Sequence, residues 1–276
     1  MTLRDDLIRP DEALRDAVIY DKGWTQSVLR LFRRRKKEFN APLAPDRRVY
    51  AVGDIHGRMD LLRDLMDEIL LDAQRYEGVA DLVFLGDYVD RGEDSRAVLD
   101  FLIGLRGRRD INPVYILGNH ERMLLDFLEM PEQGPRWLRY GGLQTLMSYG
   151  ISTPGAVNEP ETLAKIRADL SDAMGAHRAF LGQMPLWHRR GNMLFAHAGA
   201  NPAKGPRDQN EHALLWGHPR FFDTPRDDEL WVVHGHTVVE EPEIAQGRIA
   251  VDTGAYFSNR LTAVRIDGGE AVFLSV

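Results

Sequence analysis

From Arg47 onward the chain alternates between short apolar runs and polar stretches that carry glycine. The runs are VYAV (49–52), DLVFL (81–85), PVYIL (113–117), MLFA (193–196), LWVV (230–233), RIAV (248–251), LTAVRI (261–266) and AVFLSV (271–276). Short β-branched-rich runs bounded by Gly, Asp or Pro are the pattern of buried strands. Between the first three, Leu61, Leu62, Leu65, Ile69 and Ala73 share one helical face. Ala97, Val98, Phe101, Leu102 and Leu105 share another. Strand, helix, strand, helix, strand predicts a parallel βαβαβ core with right-handed crossovers. The last third is richer in strands joined by short turns such as Asp267-Gly268-Gly269, which predicts a second sheet. The expected fold class is α/β, with two packed mixed β-sheets flanked by helices.

Two stretches break this rhythm. Residues about 122–185 carry Leu124-Leu125, Phe127-Leu128, Trp137-Leu138 and the segment from Leu143 to Met147, and are expected to form a helical insertion. Residues 1–45 are charged and run into the proline-punctuated APLAPD, the pattern of an extension and linker ahead of a main domain over 46–276. Within the extension Trp24, Val28, Leu31 and Phe32 fall on one helical face beside the basic run Arg33-Arg34-Arg35-Lys36-Lys37. That combination suits contact with an anionic membrane surface. The shortness of the apolar face favours a solvated extension instead.

Composition narrows the functional classes. Hydrophobic residues make up 43% and charged residues 28%, ordinary for a globular enzyme or binding protein. There is no cysteine, so any metal must be held by His, Asp, Glu or Asn. The net charge of −7 already counts the basic run, so the rest of the chain is more acidic still, and stable nucleic-acid binding is not expected. No apolar stretch is long enough to span a bilayer, and MTLRDDLIRPDEALRD lacks the apolar core of a secretory signal. A cytoplasmic location is the expectation.

Candidate chemistry gathers where the predicted strands end, the place where open α/β sheets collect ligands. The strand ends carry Gly53-Asp54-Ile55-His56-Gly57, Gly86-Asp87-Tyr88-Val89-Asp90-Arg91-Gly92, Gly118-Asn119-His120-Glu121, His197-Ala198-Gly199 and His234-Gly235-His236-Thr237. Taken singly, each is ordinary turn chemistry, and Asn119 suits a helix cap. Together the carboxylates, amide and imidazoles make a hard-to-borderline N/O donor set for divalent cations. A strand-end aspartate can bridge two such ions roughly 3.5–4 Å apart.

These motifs resemble the signature of the phosphoprotein phosphatase family of calcineurin-like metallophosphoesterases, most closely its bacterial and phage-lambda type serine/threonine phosphatases. Trp137-Leu138, Gly141-Gly142, Leu215-Trp216, Arg220 and Asp252-Thr253-Gly254-Ala255 add to the likeness, which covers about residues 47–270. The resemblance implies a metallophosphoesterase catalytic domain over 46–276, acting as a dinuclear metal-dependent phosphomonoester hydrolase and most simply as a serine/threonine protein phosphatase with a phosphoprotein substrate. It implies two divalent ions, manganese foremost, with iron or zinc accepting the same ligands. One would sit on Asp54, His56 and Asp87, the other on Asp87, Asn119, His197 and His236. A water bridging the two, acidified towards neutrality, would attack phosphorus in line. His120 is implied as general acid and Asp90 as the partner that orients it. Arg91 and Arg220, with Asn119, are implied as grips on the phosphate.

Two other readings stay open. Bacterial diadenosine tetraphosphatases share this fold and most of these motifs, which admits a nucleotide or RNA-end pyrophosphohydrolase. Their second motif has alanine where this chain has Asp90, and their third ends in aspartate where it has Glu121, so the protein phosphatase fits better. Gly217-His218-Pro219 nevertheless departs from the Ser-Asp-Pro of eukaryotic phosphatases. A non-catalytic phosphate- or metal-binding module would have no use for an acid pair such as His120 and Asp90. His234 has no role implied by the resemblance and is expected to pack in the core or support its neighbour.

Overall fold

Side chains alternate along the first strand, and the alternation decides the layers. Val49 and Ala51 enter a buried cluster with Val83, Leu85, Phe195, Val233, Ile249 and Val264. Tyr50 and Val52, facing the other way, join a larger cluster with Leu62, Leu65, Val98 and Leu102. The first cluster is the interior between two sheets, and the second is the helical face of one of them. The computed structural model describes residues 38–153 and 159–276. The amphipathic segment around Trp24 and the basic run Arg33–Lys37 lie outside the described residues.

In chain order the elements are β1 (Val49–Val52), α1 (Met59–Ala73), β2 (Ala80–Phe84), α2 (Ser95–Gly104), β3 (Ile111–Tyr115) and α3 (Asn119–Glu129). The short helices α4 (Gly134–Trp137) and α5 (Leu143–Ser148) follow, joined by a π turn over Leu138–Gly142, then α6 (Pro160–Met174) and α7 (Ala176–Gly182). The second half adds β4 (Trp187–Arg190), β5 (Met193–Ala196), α8 (Glu211–Trp216), β6 (Trp231–His234), β7 (Glu243–Ala245), β8 (Arg248–Ala250), α9 (Ala255–Ser258), β9 (Thr262–Asp267) and β10 (Glu270–Ser275). The first sheet has the order β10-β9-β1-β2-β3 and the second β4-β5-β6-β8-β7. β1, β2 and β3 are parallel, as are β5, β6 and β8, while β9, β10, β4 and β7 pair antiparallel with their neighbours. Both sheets are therefore mixed, and no helix among the described residues is long and apolar enough to cross a membrane.

Two strands lie outside the apolar runs. β4 reads Trp-His-Arg-Arg and β7 reads Glu-Ile-Ala, both only partly covered at sheet edges, so neither needs a continuous apolar face. The segment expected as a linker also differs, because residues from Glu38 onward belong to the compact body. Its backbone serves as a partner there. Trp231 Nε1 donates to the Ala41 carbonyl at 3.0 Å, and Asn192 both donates to Pro42 O (2.8 Å) and accepts from Ala44 N (2.9 Å). Between the sheets, the fully buried Asp81 of β2 accepts from Asn112 of β3 at 2.8 Å and pairs with Arg190 of β4.

Candidate active site

The ends of β1, β2, β3, β5 and β6 lead into tight loops that turn polar groups toward one place. The backbone pays for this with strain: His56, Asp87, Asp90, Arg91 and His236 all have positive φ. Such conformations cost a non-glycine residue about 1–3 kcal/mol and persist where the surroundings hold them. Gly118 and Gly235 allow the close packing, since a Cβ at either would run into the carboxylate of Asp87 or of Asp54.

Asp87 is the centre. Its carboxylate lies 3.6 Å from His56 Nε2, 3.4 Å from His197 Nε2 and 3.9 Å from His120 Nε2. It thus belongs to two donor groups, one with His56 and His120 and one with His197 and His236, each within 4.8 Å across. Asn119 Oδ1 joins the second group, at 2.7 Å from His197 Nε2 and 2.9 Å from His236 Nδ1. Asp54 adjoins it, with both carboxylate oxygens 3.1 Å from the backbone N–H of His236. Backbone carbonyls orient the rings, Val89 O at 2.9 Å from His56 Nδ1 and Leu85 O at 2.9 Å from His197 Nδ1. Those bonds leave the Nε2 atoms free to point inward.

His120 has a different partner. Its Nδ1 is 2.8 Å from Asp90 Oδ2, and its ring stands edge-on to His56 at 4.6 Å. Asp90 is fully buried and also accepts from Trp137 Nε1 (3.0 Å) and Thr145 Oγ1 (2.7 Å). The kink at Gly141, whose φ is 112°, lets α4 and α5 supply these two donors from opposite sides of the π turn. The Gly141 carbonyl in turn accepts from Arg91 N at 3.2 Å. Glu121 braces the whole arrangement by accepting from the backbone N–H groups of Asp87, Tyr88, Val89 and Gly118.

Electrostatics separate the histidines into two kinds. Burial pushes His56 down to about 3 and His236 to about 4, and also lowers His197, so these rings are neutral and able to donate a lone pair. Burial acts on His120 in the same sense, but Asp87 and the hydrogen bond that Nδ1–H donates to Asp90 outweigh it and raise its pKa. The carboxylates are crowded. Burial, then Asp252 and Asp87, push Asp54 well above the usual range, and burial with Asp87 nearby pushes Asp252 up to about 6. Burial also opposes the charge on Asp87, but at the low pH where this carboxyl would titrate His197, His120 and His56 are protonated, and their charges outweigh burial and hold it low. Buried carboxylates short of positive charge, beside neutral imidazoles and an amide oxygen, fit a pair of divalent cations.

The sequence matches the calcineurin-like phosphoesterase family over residues 47–252. This chain belongs to that family. A curated relative, the asymmetrical bis(5'-nucleosyl)-tetraphosphatase PrpE of Oceanobacillus iheyensis, is 28% identical over 243 residues, covering 82% of this chain and 90% of the relative. The Bacillus subtilis protein of the same name is 27% identical over 241 residues, with 80% and 91% covered. Among solved structures, a candidate diadenosine tetraphosphatase superposes with a TM-score of 0.54 at 23% identity, covering 86% of this chain and 98% of that one. A cold-active protein-tyrosine phosphatase of a psychrophile Shewanella gives 0.51 at 19%, with 84% and 83% covered. At these identities the two structures speak for the fold alone.

Within this calcineurin-like phosphoesterase, Asp54, His56, Asp87, Asn119, His197 and His236 come together, and His120 meets Asp90. Arg91 is at the edge of the cluster, its guanidinium 4.7 Å over the ring of Tyr256, which stands 5.4 Å from His56. Arg220 is exposed, and its side chain makes no hydrogen bond or ion pair with the described residues; its backbone N–H donates to His218 Nδ1 at 3.2 Å and its carbonyl accepts from Thr224 N at 3.1 Å. The two histidines of the VVHGHT segment part company. His236 lies past the end of β6 and faces Asn119, whereas His234 is packed edge-on against Phe221 (5.0 Å) and Phe222 (5.8 Å). Sequence reasoning gave no task to Thr145, Tyr256 or Arg136. Nothing in their local pattern marks them, because long-range packing brings them to the site.

Proposed function

We propose that the protein is a dinuclear metal-dependent phosphohydrolase that cleaves the phosphoanhydride chain of a dinucleoside polyphosphate. The observation that carries the metal-dependent part is the position of Asp87 in both donor groups. Asp54, His56 and Asp87 would hold one cation, and Asp87, Asn119, His197 and His236 the other. When bound, the two ions supply Lewis-acid polarisation of the phosphoryl oxygens and a nucleophile at neutral pH. Arg91 draws a phosphate oxygen toward the cluster, and Asn119 fixes its position. His120, its Nδ1 held 2.8 Å from Asp90, would deliver a proton from Nε2 to the departing oxygen.

The nucleotide substrate is supported by the PrpE relatives, which align over most of their length and most of this chain. One observation favours a second reading, a phosphoprotein phosphatase: the buried His120–Asp90 pair at 2.8 Å. A serine or threonine alkoxide is a poor leaving group and gains more from a placed proton than a departing nucleotide does. Incubating the manganese-loaded protein with diadenosine tetraphosphate and resolving the products by anion exchange tests the first reading. Formation of AMP and ATP is expected. No turnover, with p-nitrophenyl phosphate hydrolysed by the same preparation, would remove the nucleotide substrate.

A further inference from the structure

Each of the two donor groups has an arginine seated on an aromatic ring at its edge. On the His56 side this is Arg91 over Tyr256. On the His236 side it is Arg136, 4.8 Å above the ring of Trp216, whose own ring centroid is 6.5 Å from that of His236. Arg136 is exposed and has no acidic partner among the described residues, unlike Arg122 on the neighbouring helix, which pairs with Asp126 at 2.9 Å. Its backbone is well fixed all the same, because the next residue is the buried Trp137 that donates to Asp90.

A ring under a guanidinium holds its plane while leaving the N–H edges free to donate. Arg136 is therefore a preplaced cation beside the His236 group, as Arg91 is beside the His56 group. A monoester has nothing to offer there. A phosphate chain running across the cluster has further anionic groups, each in need of a positive partner once drawn out of water.

We propose that Arg136, clamped on Trp216, binds phosphates of the substrate chain beyond the one under attack. This rests on the dinucleoside polyphosphate reading. Arg136 is a binding residue and Trp216 a positioning residue, so loss of either acts on KM more than on kcat.

The test compares full-length, manganese-loaded wild type with R136A, R136K and W216A on p-nitrophenyl phosphate and diadenosine tetraphosphate, with free metal held constant. R136A is expected to lose about tenfold more kcat/KM on the tetraphosphate than on the monoester, mainly in KM, as for loss of one charge-assisted contact. R136K should recover part of that selective loss, and W216A should reproduce it. Equal losses on the two substrates, or none on either, overturn the assignment. If wild type leaves the tetraphosphate intact, the substrate reading falls by itself, and Arg136 is judged by inhibition of p-nitrophenyl phosphate turnover. R136A should then weaken inhibition by pyrophosphate about tenfold more than inhibition by orthophosphate. Equal weakening of the two would overturn the proposal.

Discussion

Replacing Asp90 with Asn tests the acid role of His120 without touching a proposed metal ligand. The Asp90 carboxylate is fully buried and takes hydrogen bonds from His120 Nδ1 at 2.8 Å, Trp137 Nε1 at 3.0 Å and Thr145 Oγ1 at 2.7 Å. Asn fills the same space but removes the charge and turns one acceptor into a donor. A charge-assisted bond of this kind contributes about 1.5–3 kcal/mol, which corresponds to about 10- to 150-fold in rate at 1.4 kcal/mol per tenfold. The loss should appear only where the leaving oxygen needs a proton. The assay is kcat on phenyl phosphate, a poor leaving group, beside 2,4-dinitrophenyl phosphate, a good one, with metal content checked by elemental analysis. Asp90→Asn should fall by about 10- to 150-fold on the first and far less on the second. The same factor on both substrates, with metal retained, would refute the reasoning.

Other consequences can be checked in parallel. Asp87→Asn should lose metal at both positions by elemental analysis, and two ions retained at full occupancy would contradict a bridging role. His234→Ala should keep metal but lose packing against Phe221 and Phe222, lowering stability to urea by about 2 kcal/mol; His236→Ala should lose metal. Asp81→Ala removes the carboxylate that Arg190 and Asn112 bond to and should cost about 1.5–3 kcal/mol near neutral pH. Burial opposes the Asp81 charge, yet the His188 ring 3.9 Å away and hydrogen bonds from Asn112 and Arg190 outweigh it and hold the carboxyl below its usual range. The stabilisation is therefore present above the unfolded-state pKa and lost as pH falls through the lower folded value. Urea unfolding should show the wild-type advantage over Asp81→Ala shrinking toward acid, and a constant advantage would contradict that linkage.

The parts of the fold legible in the chain are those where one residue class repeats with the period of its element. Val49 to Val52 and Met193 to Ala196 are continuous apolar strands because both of their faces are covered. β4 and β7 are edge strands with exposed positions, so no apolar run announces them. Residues 38–45 look like a linker because backbone carbonyls and two isolated apolar side chains, Phe39 and Leu43, make their contacts, and neither forms a periodic pattern. The same division holds at the site. Asp54, His56, Asp87, Asn119, His120, His197 and His236 stand in short glycine-bearing motifs at strand ends, where local sequence carries the geometry. Thr145 and Trp216 reach the site through a kinked helical stretch and through packing across the chain, and only the three-dimensional arrangement reveals their partners. The substrate is written least plainly in the chain, since the dyad of His120 and Asp90 suits a poor leaving group while the PrpE relatives point to a nucleotide.

The most direct test of the account is kcat/KM for the manganese-loaded protein on diadenosine tetraphosphate and on a phosphoserine peptide, measured side by side at the same free metal concentration. The account predicts a preference for the tetraphosphate, with AMP and ATP as products. A preference for the phosphoserine peptide would contradict it and turn the same metal cluster and acid pair to protein dephosphorylation.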